Sequence, residues 1–150
     1  MKTATQVRTA IEKSPADVYR FVATEHARNH PRWDRKAVEF VQLDPGPIGV
    51  GTRFAYKRKG TFPRQLDALQ LTVTDMEPNR RFAWRISGAW QAQFSYTFGP
   101  GATPSATAME CVSDFELPVP QLLAPLVRGA INREVGDHQR RIKQMVETGT

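Results

Sequence analysis

Hydrophobic and polar positions change period several times along this chain. Val7, Thr9 and Ile11 alternate with Arg8, Ala10 and Glu12, the two-residue period of a strand with one buried face. Ser14-Pro15-Ala16-Asp17 then places a cap residue, a proline for the first helical position and an acid for the first turn. Val18, Phe21 and Val22 follow at i, i+3 and i+4, which predicts a short helix over about Pro15 to Ala23. A second short helix, about Glu25 to Asn29, is expected to stop ahead of Pro31, because a proline pushes its predecessor out of the helical region. Trp33 follows just after that break.

From here to about Leu117 the period is two. Val38, Phe40 and Gln42 predict a second strand, closed by the turn Asp44-Pro45-Gly46-Pro47. A third strand, Thr52 to Arg58, carries Phe54 and Tyr56 on one face. After a looser stretch from Gly60 to Gln65 comes a fourth strand with Leu69, Leu71 and Val73, then a turn over Asp75 to Arg80. Phe82, Trp84 and Ile86 mark the fifth strand and Trp90, Ala92, Phe94, Tyr96 and Phe98 the sixth. Thr107, Met109, Cys111, Ser113, Phe115 and Leu117 mark one face of the last. Short turns between successive strands predict antiparallel pairing.

The period returns to that of a helix at the C-terminal end. Leu123, Val127, Ala130, Ile131, Val135, Ile142 and Met145 fall on one broad stripe, with Arg128, Asn132, Arg133, Arg140, Lys143 and Gln144 opposite. Val119 to Ala124 reads as a lead-in, with the main helix starting near Pro125 and reaching about Glu147, roughly 30 to 35 Å long. The expected fold is α+β: a seven-stranded antiparallel sheet wrapped around a long C-terminal helix, with two short helices after the first strand. Large aromatics on the sheet face small residues such as Gly129 and Ala130 on the helix, and a cavity between the two layers is expected.

The 150 residues and 16.9 kDa suit one domain over 1–150 with a core that needs no disulfide or metal. The single cysteine, Cys111, excludes an intrachain disulfide and fits a cytoplasmic location; it reads as a small core residue. No apolar run is long enough for a membrane span, and the first residues lack the apolar core of a secretory signal. A formal charge of +6 could suit nucleic acid or an acidic surface. The basic residues are dispersed, however, with short clusters at Arg28/Arg32/Arg35/Lys36, Lys57-Arg58-Lys59 and Arg140-Arg141/Lys143, and read as a solvated surface.

Four fragments, each on the right element, carry a resemblance. They are Ser14-Pro15-Ala16-Asp17-Val18, Pro31-Arg32-Trp33-Asp34, Gly46-Pro47-Ile48-Gly49-Val50-Gly51-Thr52, and the hairpin from Val73 to Phe82. With the element order, they resemble the SRPBCC superfamily, nearest the polyketide cyclase/dehydrase and lipid-transport type related to START domains. The resemblance covers nearly the whole chain. It implies a helix-grip fold and a deep, mainly apolar pocket entered near the short helices. It does not imply one activity, since members include binders of lipids and hormones, aromatases or cyclases, and chaperone cofactors.

Candidate ligand-binding residues are Trp33, Phe54, Tyr56, Trp84, Trp90, Phe94, Tyr96 and Met109, with Val127 and Ile131 of the helix opposite. Core packing is the competing reading for each of them. Glu134 and His138, four apart within the apolar stripe, are candidates for an acid/base couple, alongside the bland reading of a satisfied pair or a Glu134–Arg141 contact. His26 and His30 share a face at metal-compatible spacing, but no third ligand is apparent and no metal is expected. No nucleophile elbow, phosphate loop or dinucleotide fingerprint occurs, and no cofactor is expected. Binding or transport of a small hydrophobic ligand ranks first, a cyclase/dehydratase-type enzyme second, and a basic module for protein or nucleic acid third. A homodimer stays open.

Overall fold

The computed structural model describes residues 1–60 and 65–150, so much of the stretch expected to loop after Gly60 lies outside the described residues. Among the described residues seven strands form one sheet: β1 (Lys2–Ile11), β2 (Ala37–Gln42), β3 (Arg53–Lys59), β4 (Leu66–Glu77), β5 (Arg81–Gly88), β6 (Gln91–Pro100) and β7 (Thr107–Glu116). Every neighbouring pair is antiparallel, in the order β1-β7-β6-β5-β4-β3-β2. Consecutive hairpins build it from β2 to β7, and β1 returns to pair with β7. The helices are α1 (Pro15–Tyr19), α2 (His26–Trp33) and α3 (Ala124–Thr148). No helix among the described residues is long and apolar enough to cross a membrane.

Alternation along the strands sets the buried face. On β5, Phe82, Trp84 and Ile86 are buried, and on β7, Thr107, Met109, Cys111, Ser113 and Phe115. β2 departs from the expected pattern. A bulge between Ala37 and Glu39 takes Val38 off the inner face, leaving it exposed, while Phe40 packs inward. β4 also runs further than expected, to Glu77, so the turn shrinks to Pro78-Asn79-Arg80, with Asn79 in the left-handed conformation at φ 63°.

The short helices hold two surprises. Ser14 caps α1 through a 3.2 Å bond from the Asp17 N–H, as its position predicts, but the helix widens to a π turn over Arg20–Thr24. α2 does not stop before Pro31 but carries it inside, ending at Trp33. A proline in a helix interior costs about 3 kcal/mol. Burying the Trp33 side chain, roughly 200 Å2 at about 25 cal/mol per Å2, contributes about 5 kcal/mol. Arg141 of α3 also donates to the Trp33 carbonyl at 2.9 Å, holding the last turn in place. Packing therefore overrides the local signal.

α3 starts at Ala124 with Pro125 in its first turn, after a single 3-10 turn over Gln121–Leu123. Ala124, Ile131, Val135, Gln139, Ile142 and Val146 form its buried stripe. Leu122 of the 3-10 turn and Leu126 of the first turn of α3 are 90% and 75% exposed, although Ala124 between them is buried.

Candidate functional site: a buried charged cluster beneath an apolar cleft

Asp34 is the residue on which the elements converge. It follows Trp33 as the C-cap of α2, and its backbone N–H bonds to the His30 carbonyl at 3.0 Å. Position 58 is the third inward residue of β3 after Phe54 and Tyr56, so the strand period aims Arg58 into the same region. Arg58 donates through Nε to Asp34 Oδ2 at 3.1 Å and through Nη2 to Asp34 Oδ1 at 3.2 Å. The same Nη2 reaches Glu134 Oε1 of α3 at 2.9 Å, and Lys36 Nζ meets that oxygen at 3.0 Å. His138 Nε2, one helical turn beyond Glu134, faces Asp34 Oδ1 at 3.5 Å. The Tyr56 hydroxyl donates to Asp34 Oδ2, and the Lys36 backbone N–H reaches Asp34 Oδ1 at 3.1 Å. Counting Asp34 and Glu134 against Lys36 and Arg58, two charges of each sign cancel.

Burial and pairing pull these groups in opposite directions. Burial would raise the Asp34 carboxyl, yet the partners His138 and Arg58 more than reverse it and hold Asp34 well below the usual carboxylate range. Glu134 follows the same logic: burial raises it, and Arg58 and Lys36 outweigh that and leave it lowered. Burial and the Asp34 charge push the Tyr56 phenol well above its ordinary value, so it remains a donor.

Behind Tyr56 runs a pair of buried imidazoles. His26 Nδ1 lies 2.9 Å from the Val22 carbonyl, which can only accept, so this nitrogen carries the proton. His26 Nε2 therefore accepts from His30 Nδ1–H at 3.0 Å, and His30 Nε2, left with its lone pair, lies 3.4 Å from the Tyr56 oxygen, whose one proton goes to Asp34. Burial lowers His26 to about 4 against the opposing pull of Val22, and lowers His30 well below 6.5 with the His26 and His138 charges adding to it. Both rings are neutral at neutral pH. Phe40, Phe54, Phe82, Trp33 and Trp84 surround His26 with ring centroids 4.9–5.6 Å away. The two histidines point at each other, not at a common metal position.

Asp34, Glu134 and His138 do offer three ligand atoms within 4.8 Å of one another. Arg58 bridges both carboxylates, however, so a divalent cation would meet a guanidinium where it needs oxygen lone pairs. The group as built does not fit a metal.

Three spaces border the cluster, one of them a groove of about 330 Å3 along α3 lined by Asp34, Lys36, Arg133, Glu134, His138 and Arg141. An inner cavity of about 40 Å3 is lined by His30, Trp33, Asp34, Tyr56, Arg58, Trp84, Ile86, Trp90, Phe94, Tyr96, Phe115, Glu134, Val135 and His138. An outer cleft of about 410 Å3 opens where α3 leaves the sheet, between Leu117, Pro118, Leu123, Val127, Ala130 and Ile131 on one side and Asp67, Ala89 and Trp90 on the other. Arg58, Trp90, Phe115 and Glu134 line both, so the two spaces meet at these side chains. Trp90 is held there by its Nε1–H, which donates to the buried Asp67 at 3.0 Å, and by the Arg58 guanidinium 5.9 Å from its ring centre.

Of the ligand residues expected from the sequence, Trp33, Tyr56, Trp84, Phe94 and Tyr96 line the inner cavity, Val127 and Ile131 the outer cleft, and Trp90 both. Phe54 and Met109 line neither; they are fully buried in the core. The expected hollow between sheet and helix is thus displaced towards the start of α3, because α2 and its aromatic surroundings fill the deep end. Tyr96 is tied to Gln139, whose Nε2 donates to the hydroxyl at 3.0 Å. Glu134 and His138 do not pair with each other; both turn towards Asp34 and Arg58. Nor does Glu134 meet Arg141, which binds Trp33 instead. Arg58, read from the sequence as part of a solvated basic cluster, is 8% exposed; Asp34 enters the sequence reading only within the Pro31-Arg32-Trp33-Asp34 fragment, and Asp67 and Gln139 do not enter it. The available signal for Arg58 and Asp67 was their phase, two positions from Tyr56 and Leu69.

No family model matches this chain, and no curated protein sequence matches it. Solved structures match along its length. One from Thermus thermophilus has a TM-score of 0.81 at 14% identity, covering 99% of both chains. The Zhui aromatase/cyclase from Streptomyces sp. R1128 has a TM-score of 0.76 at 8% identity, covering 98% of this chain and 94% of that one. A truncated norcoclaurine synthase from Thalictrum flavum has a TM-score of 0.71 at 10% identity, covering 97% and 94%. The chain has the helix-grip fold of the SRPBCC superfamily that its sequence resembles.

Proposed function

We propose that this protein binds a small hydrophobic or aromatic molecule in the outer cleft, with one end of the ligand at Arg58, Trp90 and Glu134, where the two spaces meet. The observation that carries this reading is the junction itself. An apolar-walled cleft of about 410 Å3, within the range typical of ligand sites, ends on a charged cluster in which Arg58 is buried and paired with Asp34 and Glu134. The walls supply affinity at roughly 25 cal/mol per Å2 of apolar ligand surface covered, and the cluster orients whatever polar group the ligand carries. Neighbours in fold named as an aromatase/cyclase and a norcoclaurine synthase are consistent with a cleft for ring-bearing molecules. Native mass spectrometry of freshly purified protein, with thermal-shift screening against fatty acids and polycyclic aromatics, tests it. A co-purifying apolar molecule or a melting shift of several degrees is expected. No bound mass and no shift with any member of either set would overturn the reading.

One observation favours a second, enzymatic reading. His138 Nε2 faces Asp34 Oδ1, the carboxylate–imidazole arrangement that leaves Nδ1 as a base, and His138 lines the inner cavity. On this reading Nδ1 removes a proton from a carbon next to a ligand carbonyl, and charge develops on that oxygen beside Tyr56 and Arg58. Exchange of the methyl protons of 2-acetylnaphthalene for deuterium, followed by NMR, tests it. Catalysed exchange that His138→Gln abolishes is expected, and exchange at the buffer rate would sink it.

A further inference from the structure

Trp84 presents a buried donor with nothing to bind. Its indole is 2% exposed and stacks between Phe94 and Tyr96, with centroids at 5.2 and 5.3 Å. Its Nε1–H has no hydrogen-bond partner among the described residues. A buried donor without a partner costs about 1–3 kcal/mol, so such groups call for an explanation. Packing accounts for the ring, which also meets His26, His30 and Phe82, but not for the unbonded polar atom. The indole is a wall of the inner cavity, and that cavity adjoins the ligand cleft through Arg58, Trp90, Phe115 and Glu134.

We infer that the inner cavity is an oxygen subsite, in which Trp84 Nε1 donates to a neutral carbonyl oxygen on an aromatic ligand whose body lies in the outer cleft. The inference rests on the ligand-binding reading above and adds the chemical class of the ligand. Size agrees, since about 40 Å3 admits about three water-sized groups, enough for a carbonyl and its neighbouring carbon. Charge decides against a carboxylate. Asp34 and Glu134 already match Lys36 and Arg58, and Arg58 has committed Nε and Nη2 to these acids. A further anion would enter a low-dielectric pocket without a countercharge of its own, whereas a neutral acceptor satisfies the indole and leaves the balance intact.

Three probes of one shape test this: 2-acetylnaphthalene, 2-ethylnaphthalene and 2-naphthoate, titrated calorimetrically into wild type and Trp84→Phe. The ketone is expected to bind wild type about tenfold more tightly than either of the others, and Trp84→Phe to reduce it to the level of the hydrocarbon while hydrocarbon binding is unchanged. Equal binding of ketone and hydrocarbon by wild type, a preference that survives Trp84→Phe, or tightest binding of the naphthoate would each overturn the subsite and leave the cleft standing. Absence of binding by all three would overturn both. If Trp84→Phe does not fold, the wild-type indole N–H resonances decide: the ketone, and not the hydrocarbon, is expected to move one downfield, a signal that Trp90→Phe and Trp33→Phe both retain. Absence of that movement overturns the subsite.

Discussion

Arg58 and Asp34 form a two-pronged ion pair at the point where β3 meets the end of α2, with side chains 10% and 1% exposed. The nitrogen and oxygen atoms come from residues 24 positions apart, so the contact ties the short-helix layer to the sheet, and Glu134 extends it to α3. Breaking such a pair from one side leaves a charge buried without its counterpart. Arg58→Met and Asp34→Asn are each expected to lower stability by about 3–5 kcal/mol, read from urea denaturation. The double variant should cost less than the sum of the singles by about 1–3 kcal/mol. Singles within about 0.5 kcal/mol of wild type would mean that the cluster is not held as described, since that is the range of surface changes.

The imidazole pair makes stability depend on pH in one direction. His26 is neutral when folded down to about 4 but takes up a proton near 6.5 when unfolded, so between those values the unfolded chain holds more protons. Stability is then complete above about pH 6.5 and falls as pH drops through that window. His30 is shifted the same way, and the two together give a slope approaching about 2.7 kcal/mol per pH unit near pH 5. Asp34, depressed when folded, adds a further loss once pH drops below the ordinary carboxylate value of 3.8. His26→Gln keeps a donor for Val22 and an acceptor for His30. It is expected to halve the slope near pH 5, measured by urea denaturation at half-unit steps from pH 4 to 8. An unchanged slope would mean that His26 is not buried as a neutral ring.

What the sequence showed, and what it hid, divides along one physical line. Phe82, Trp84 and Ile86 are apolar and alternate, so their face could be read directly from period. Arg58 and Asp67 sit in equally good phase, two positions from Tyr56 and Leu69, but a charged side chain goes inside only when a partner meets it there. Their partners, Asp34 for Arg58 and Trp90 for Asp67, are 24 and 23 residues away, a distance at which no local pattern speaks. Pro31 misled for the same reason, because the burial of Trp33 that outweighs it is a tertiary effect. Likewise, seven strands and a long helix predicted a hollow, but only the packing of α2 decides that it opens beside Val127 instead of at the deep end.

Cys111 provides a check on how tightly the sheet and helix close. It is fully buried beneath α3, and burial pushes its thiol up to about 12, with Tyr96 pulling weakly the other way. The thiolate that reacts with disulfide reagents is therefore both scarce and out of reach at pH 8. Native protein is expected to give no fast reaction with Ellman's reagent, and one equivalent in 6 M guanidinium chloride. Stoichiometric labelling of the native protein within minutes would show that the β7 face opens far more readily than its packing implies.

The location of the ligand can be separated from its identity by filling the cleft. Val127 is half-buried on the first turns of α3, lines the cleft together with Phe115 and Leu117, and lies outside the charged cluster. Val127→Trp adds an indole where about 410 Å3 is open, so it displaces no packed core residue. Stability is expected to stay within about 1 kcal/mol of wild type, in contrast to overpacking of a filled core, which typically costs 1–3 kcal/mol. Affinity for a ligand-sized aromatic such as 2-acetylnaphthalene should fall by at least about tenfold, because apolar ligand surface loses its wall. Phe54→Leu, in the core away from both spaces, supplies the opposite pattern: a stability loss of about 1 kcal/mol or more with affinity unchanged. If Val127→Trp binds as well as wild type and Phe54→Leu does not, the ligand sits deeper than the cleft.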